Sequence, residues 1–186
     1  MPAEETYWIS LLEAAGMERT KAAVSLEDEV AQLFALLRTP LLRYLFTLGL
    51  PGPEAEEVAQ EVFLALFRHL REGKPRTNLK AWVFRAGHNL GLRARSRLQR
   101  SITLADEGEN RCDPSPNPED QAAQSQRQRR LLAVVRALPT QDRACIHLRA
   151  EGLKYREIAG ILGISLGSVA QAMERTLKKL QRVEES

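Results

Sequence analysis

The sequence predicts an all-α protein, two helical domains joined by a flexible linker, and three observations carry that expectation. Leu, Ala, Arg and Glu dominate while aromatics make up only 5% of the 186 residues, a balance that favours helix over sheet. Wherever apolar residues cluster they recur at a helical period. One stretch, "SITLADEGENRCDPSPNPEDQAAQSQ", holds three prolines, many polar residues and no such period, so it reads as a connector. The expected layout is an N-terminal extension at 1–24, a helical domain at 25–100, a linker at 101–126 and a second helical domain at 127–186.

The first domain opens with "SLEDEVAQLFALLRTPLLRYLFTLGL", where Ser25 and Asp28 have capping-box spacing. Leu33, Leu36, Leu37, Leu41, Tyr44, Leu45 and Leu48 follow a helical period, and Pro40 is expected to kink or split the helix. "PGP" at 51–53 is a turn. The next helix, "EAEEVAQEVFLALFRHLREG", carries acids in its first turn, where the helix dipole favours them, and Val58, Val62, Phe63, Leu66 and Leu70 along one face. A third, "NLKAWVFRAGHNLGLRARSRLQR", starts at an Asn cap, Asn78, and is expected to bury Leu79, Trp82, Val83, Ala86 and Leu90. Phe84 projects off that stripe beside His88, placed either to stack on a base or to pack on a neighbouring helix. Asn89 lies at the stripe's edge as a structural hydrogen-bonder or a base contact. Gly87 and Gly91 each cost about 1 kcal/mol relative to Ala inside a helix, which points to close packing or close approach of DNA.

After the linker, a helix is expected from about Gln124 to Leu138, followed by one capped by Thr140. "EGLKYREIAGILGISLGSVAQAMERTLKKL" then reads as a helix-turn-helix, with Gly163 in the left-handed turn position and Ser165 capping the second helix. Ile158, Ala159, Ile161 and Leu162 form the first helix's apolar face. Val169, Met173, Thr176, Leu177 and Leu180 form the second's. Ser168, Gln171, Ala172 and Arg175 are left facing outward, where a hydroxyl, an amide and a guanidinium have the chemistry to read a major groove. Lys154, Arg156, Lys178 and Lys179 are placed for phosphate contacts.

Charge is strongly segregated. Residues 1–30 sum to −5, residues 73–100 hold eight Lys/Arg and no acid, residues 101–126 sum to −5, and residues 127–186 sum to +6. A merely solvated surface mixes signs, so the acid-free block predicts a polyanionic partner. No nucleophile–base set, metal-ligand spacing or phosphate-binding Gly loop is present, so no enzyme, metal or cofactor is expected. Two cysteines without CxxC spacing fit a reducing compartment. The absence of a basic signal region or a membrane-length apolar run leads to the expectation of a cytoplasmic protein without membrane insertion.

Three segments in this order resemble the extracytoplasmic-function (ECF) group of bacterial sigma factors, in the sigma-70 family. "PEAEEVAQEVFLALFRHL" looks like region 2.2, "LKAWVFRAGHNLGLRARSR" like regions 2.3 and 2.4, and "LPTQDRACIHLRAEGLKYREIAGILGISLGSVAQAMERTLKKL" like region 4. The resemblance covers about residues 28–182 and makes the two domains a sigma region 2 bundle and a sigma region 4 helix-turn-helix bundle. It implies an RNA polymerase sigma factor that directs promoter recognition and initiation. Its implied partners are core RNA polymerase (the β′ clamp coiled coil and the β flap), promoter DNA and an anti-sigma factor.

By position the resemblance assigns Glu57, Gln60 and Glu61 to polymerase docking. It assigns Lys74, Arg76, Lys80, Phe84, Arg85, His88, Asn89, Arg93, Arg95 and Arg97 to the −10 element. Lys154, Arg156, Ser165, Ser168, Gln171, Arg175, Lys178 and Lys179 fall to the −35 element. Where the family has a Thr-Val-Lys-Ser-Arg-like run, this chain has Ser168-Val169-Ala170-Gln171-Ala172, and losing two cations weakens phosphate attraction. The alternative reading is a sigma-like regulatory interaction protein that binds a regulator, or mimics a sigma factor, without itself reading promoters. Residues 1–24, with Trp8, Leu11, Leu12 and Ala15 on one side of a possible helix, are either an acidic cover for a basic face or a frayed tail.

Overall fold

In the computed structural model, residues 25–105 and 126–184 are described, and every regular element among them is a helix. α1 spans Leu26–Thr47, α2 Gly52–Arg71 and α3 Leu79–Ala105. α4 spans Gln126–Arg136, α5 Thr140–Ala150, α6 Tyr155–Leu162 and α7 Leu166–Glu184. Residues 1–24, Cys112 and the segment 106–125 lie outside the described residues; α3 continues five residues into the stretch expected as linker.

The Ser25 cap forms as the spacing predicts: its Oγ accepts from Asp28 N at 3.1 Å, with Glu27, Asp28 and Glu29 in the first turn of α1. Pro40 does not split α1, which runs unbroken past it. Leu37, Leu41, Tyr44, Leu45 and Leu48 are buried, but Leu36 is 70% exposed. At 3.6 residues per turn, position 36 lies about 120° from the centre of the face the others define. On α2 the expected face is the observed one, with Val58, Val62, Phe63, Leu66 and Leu70 all buried.

The buried face of α3 differs from the expected stripe. Phe84 is fully buried, with Ala81, Val83, His88 and Ala94, while Leu79, Trp82, Ala86 and Leu90 are only partly covered. The face is rotated by about 120° from the apolar reading because its centre is made of glycine. A β-carbon on Gly87 would stand 2.6 Å from Leu41 Cδ1, and one on Gly91 3.0 Å from Leu45 Cδ2. The two glycines let α1 and α3 approach closely, and a hydrophobicity pattern does not register them. Trp82 instead lies against the His69 ring of α2, centroids 4.9 Å apart.

In the second module Gly163 has φ 66°, as a tight turn requires, and Ser165 Oγ accepts from Ser168 N at 3.0 Å. Thr140 is the first helical residue of α5 rather than its cap, Pro139 occupying that position. Two side chains on α7 depart from the expected pattern: Ala172 is fully buried and Leu177 is 48% exposed. The small methyl of Ala172 permits close packing there, whereas Leu177 falls at the margin of the buried face.

The two modules pack on each other, α1 against α5 and α3 against α6. No helix among the described residues is long and apolar enough to cross a membrane.

Candidate nucleic-acid interface

The basic helix α3 is launched by Asn78, which takes a left-handed φ of 54° and accepts from Ala81 N at 3.3 Å through Oδ1. Its Nδ2 donates to Glu157 Oε1 of α6 at 2.6 Å. Two residues on, Lys80 Nζ donates to the Glu151 carbonyl at the end of α5 and lies 3.4 Å from that residue's carboxylate. One turn further, the Arg85 guanidinium lies under Gly160 of α6. The N-terminal half of α3 therefore packs against the helix-turn-helix module; Lys80 and Arg85 contact that module, Arg85 from an exposed position.

Phe84 and His88 sit in the same covered half. Both are buried in this arrangement, where stacking on a base requires an exposed face. Phe84 meets the Tyr44 ring edge-on at 5.6 Å; burying a Phe side chain contributes about 2–3 kcal/mol. His88 Nδ1 hydrogen-bonds Tyr44 Oη at 2.8 Å. Burial holds the His88 imidazole below its ordinary range and pushes the Tyr44 phenol up, so both are neutral at pH 7.

The C-terminal half of α3 is open. Asn89, Arg93 and Arg97 are exposed on one outward strip. Arg93, Ser96, Arg97 and Arg100 line a shallow groove of about 510 Å³ together with Leu90, Leu92 and Glu61. Arg95 points elsewhere, donating to the Leu48 carbonyl at 3.2 Å, and ties α3 to the end of α1. In the preceding loop, Lys74 pairs with Glu72 at 2.5 Å and Arg76 with Glu29 at 3.2 Å. Lys74 holds the Glu72 carboxyl below its usual range.

On α2, Glu57, Gln60 and Glu61 are all exposed and share one face. Leu64 continues that face, 58% exposed one turn later. The sequence reading missed it, although a leucine at i+7 from Glu57, off the apolar face of Val58, Val62, Phe63, Leu66 and Leu70, was a usable signal.

On the helix-turn-helix, Lys154, Arg156, Gln171 and Lys179 are exposed and Ser168 half-exposed, its Oγ 2.8 Å from Ser165 Oγ. Lys178 pairs with Glu174 at 2.6 Å. Arg175 has a different partner from the one expected: it grips the buried carboxylate of Asp142 bidentately, at 2.9 and 3.2 Å, tying α7 to α5. The sequence did not mark this pair, because Asp142 stands in the first turn of α5, where the helix dipole alone favours an acid.

Comparison with known proteins agrees with this geometry. Residues 33–101 match the family model for sigma-70 region 2, and residues 128–180 that for sigma-70 region 4. The chain is 30% identical over 184 residues to the ECF RNA polymerase sigma factor SigE of Mycolicibacterium smegmatis, covering 97% of this chain and 68% of SigE. It is 28% identical over 170 residues to the RNA polymerase sigma factor CnrH of Cupriavidus metallidurans, covering 86% and 88% of the two chains. Its fold is similar to that of the sigma factor RpoE solved in complex with the anti-sigma factor NepR from Bartonella quintana, with TM-score 0.66 at 20% identity over 85% of this chain and 98% of that one. CnrH, solved with the cytosolic domain of CnrY, gives TM-score 0.56 at 24% identity over 89% and 94%. The chain belongs to the extracytoplasmic-function group of the sigma-70 family and is an RNA polymerase sigma factor that directs promoter recognition.

Proposed function

We propose that this sigma factor docks on core RNA polymerase through the outward face of α2, and that α3 and α7 read separate promoter elements once the modules part. Glu57, Gln60, Glu61 and Leu64 form the docking strip for the β′ clamp coiled coil, and the second module meets the β flap. Asn89, Arg93 and Arg97 present the first contacts to the −10 region, with Lys80 and Arg85 joining when α6 leaves. A cationic strip with two leucines in its groove suits a displaced strand, whose phosphates pair with arginine while its bases seek apolar cover. Holding the strand offsets an opening cost of a few kcal/mol per unstacked base.

The −35 element falls to Lys154, Arg156, Ser168, Gln171 and Lys179, whereas Arg175 supports α7 from behind. The protein acts without catalysing a reaction itself, in the cytoplasm where the polymerase works. An anti-sigma factor is its expected regulator, as the similar sigma factor RpoE was solved in complex with the anti-sigma factor NepR.

The observation that carries the reading is the segregation on α2: three polar residues and one leucine on an outward strip, every remaining apolar position of the strip's opposite face buried. The test is co-purification with core polymerase. Glu57→Arg combined with Glu61→Arg is expected to weaken holoenzyme formation at least tenfold while leaving the helix content unchanged. Undiminished binding by that variant contradicts the assignment.

A further inference from the structure

Between the two modules lies a cluster of titratable side chains that neither promoter reading nor polymerase docking uses. Tyr44 of α1 is fully buried at its centre. On one side it hydrogen-bonds His88 of α3; on the other its ring stands 5.6 Å from that of His147 on α5. His147 therefore belongs to the second module and Tyr44 and His88 to the first, and the three rings form the seam.

The polar surroundings of His147 are poor. The backbone carbonyl of Pro40, inside α1, is its hydrogen-bonding neighbour, and Nε2 is buried with no partner. Arg43 of α1 faces the ring with positive charge, and Glu151 opposes it with negative charge. Glu151 is itself engaged by Lys80 of α3. From α5, Cys145 completes the cluster against Tyr44. Burial and the Asp142 carboxylate push its thiol up to about 11, so it carries no charge at neutral pH.

We propose that His147 is a proton-sensitive latch: its neutral ring holds the helix-turn-helix module closed over α3, and protonation releases it. A second proton on the ring places an N–H and a positive charge on a buried nitrogen that has no acceptor, beside Arg43. In the open arrangement the same nitrogen meets water. The proton thus binds the open form more strongly, which is the requirement for a ligand to shift a two-state equilibrium.

The sign follows from burial. Desolvation, with Arg43 adding to it, holds His147 below its ordinary value in the closed form, despite the opposing Pro40 carbonyl and Glu151. Closure is therefore fully favoured above about pH 6.5, the ordinary histidine value, and weakens as pH falls toward the depressed one. One titrating group changes the closed-to-open ratio by about tenfold per pH unit within that window.

The proposal is independent of promoter specificity, and its test needs neither polymerase nor DNA. The full chain is measured by small-angle X-ray scattering at pH 7.5 and pH 5.5, with far-ultraviolet circular dichroism on the same samples. The expected result is a larger radius of gyration at pH 5.5 with unchanged helix content. In His147→Gln the expansion is expected to shrink markedly, whatever the radius at pH 7.5, leaving only the share that the buried His88 contributes. A proton NMR titration of the wild-type chain supplies the second measurement, with the His147 midpoint expected below the ordinary value and coincident with the expansion. An unchanged wild-type radius, expansion accompanied by helix loss, or a wild-type response in His147→Gln overturns the proposal.

Discussion

The Arg85 guanidinium of α3 lies so close under Gly160 of α6 that a β-carbon there would stand 2.8 Å from Nη2. The neighbour is the far end of a flexible side chain, so Gly160→Ala is expected to be absorbed with little change. Gly160→Leu adds a branched side chain that Arg85 has less room to avoid, while favouring α6 by roughly 1 kcal/mol of helix propensity. The leucine variant is expected to separate the modules and raise the free protein's affinity for −10 single strand several-fold. Scattering radius and fluorescence anisotropy measure the two effects; equal compactness in both variants counts against a roof at this position.

Gly87 and Gly91 make the opposite prediction about packing within the first module. Gly87→Ala forces a methyl to within 2.6 Å of Leu41 Cδ1. Overpacking of this kind costs about 1–3 kcal/mol, against about 1 kcal/mol gained in helix propensity. A net loss of about 1 kcal/mol is expected in urea denaturation, and Leu41→Val in the same chain should recover part of it.

Arg175 and Asp142 test whether a residue expected on DNA is instead structural. Arg175→Ala leaves a buried carboxylate without its cation. The double variant Asp142→Ala/Arg175→Ala removes both, so it is expected to be more stable than Arg175→Ala alone. Thermal unfolding of the wild type, the two single variants and the double variant decides it. A base-reading role predicts no such coupling.

These results mark where the sequence was legible. Helix order, the Ser25 cap, the Gly163 turn and the core face of α2 all follow from local rules, because capping and strong periodicity are encoded within a few residues. The α3 face was half legible: Gly87 and Gly91 pointed to close packing, which α1 supplies, but the apolar period, blind to residues without side chains, placed the buried face about 120° away. The fate of Lys80, Arg85 and His88 was not legible. A count of cations identifies a basic helix but does not say which half of it another module covers. His88 and Phe84 are packed against Tyr44, a residue far back along the chain on α1.

The open strip on α3 makes a quantitative prediction. If Arg93 and Arg97 each neutralise one phosphate of a displaced strand, Arg93→Ala/Arg97→Ala should lower the slope of log affinity against log salt by about 1.4, at about 0.7 per contact. Titration of holoenzyme binding to a pre-opened promoter fragment measures it. A parallel line, weaker but with unchanged slope, assigns these residues to folding.

Run-off transcription with purified core polymerase, this chain and a library of promoter-length genomic fragments tests the central claim most directly. The account predicts transcripts that begin at discrete sites, share two spaced upstream elements and are lost when Glu57 and Glu61 are both replaced by Arg. Core polymerase whose start sites are the same with and without the chain would contradict it.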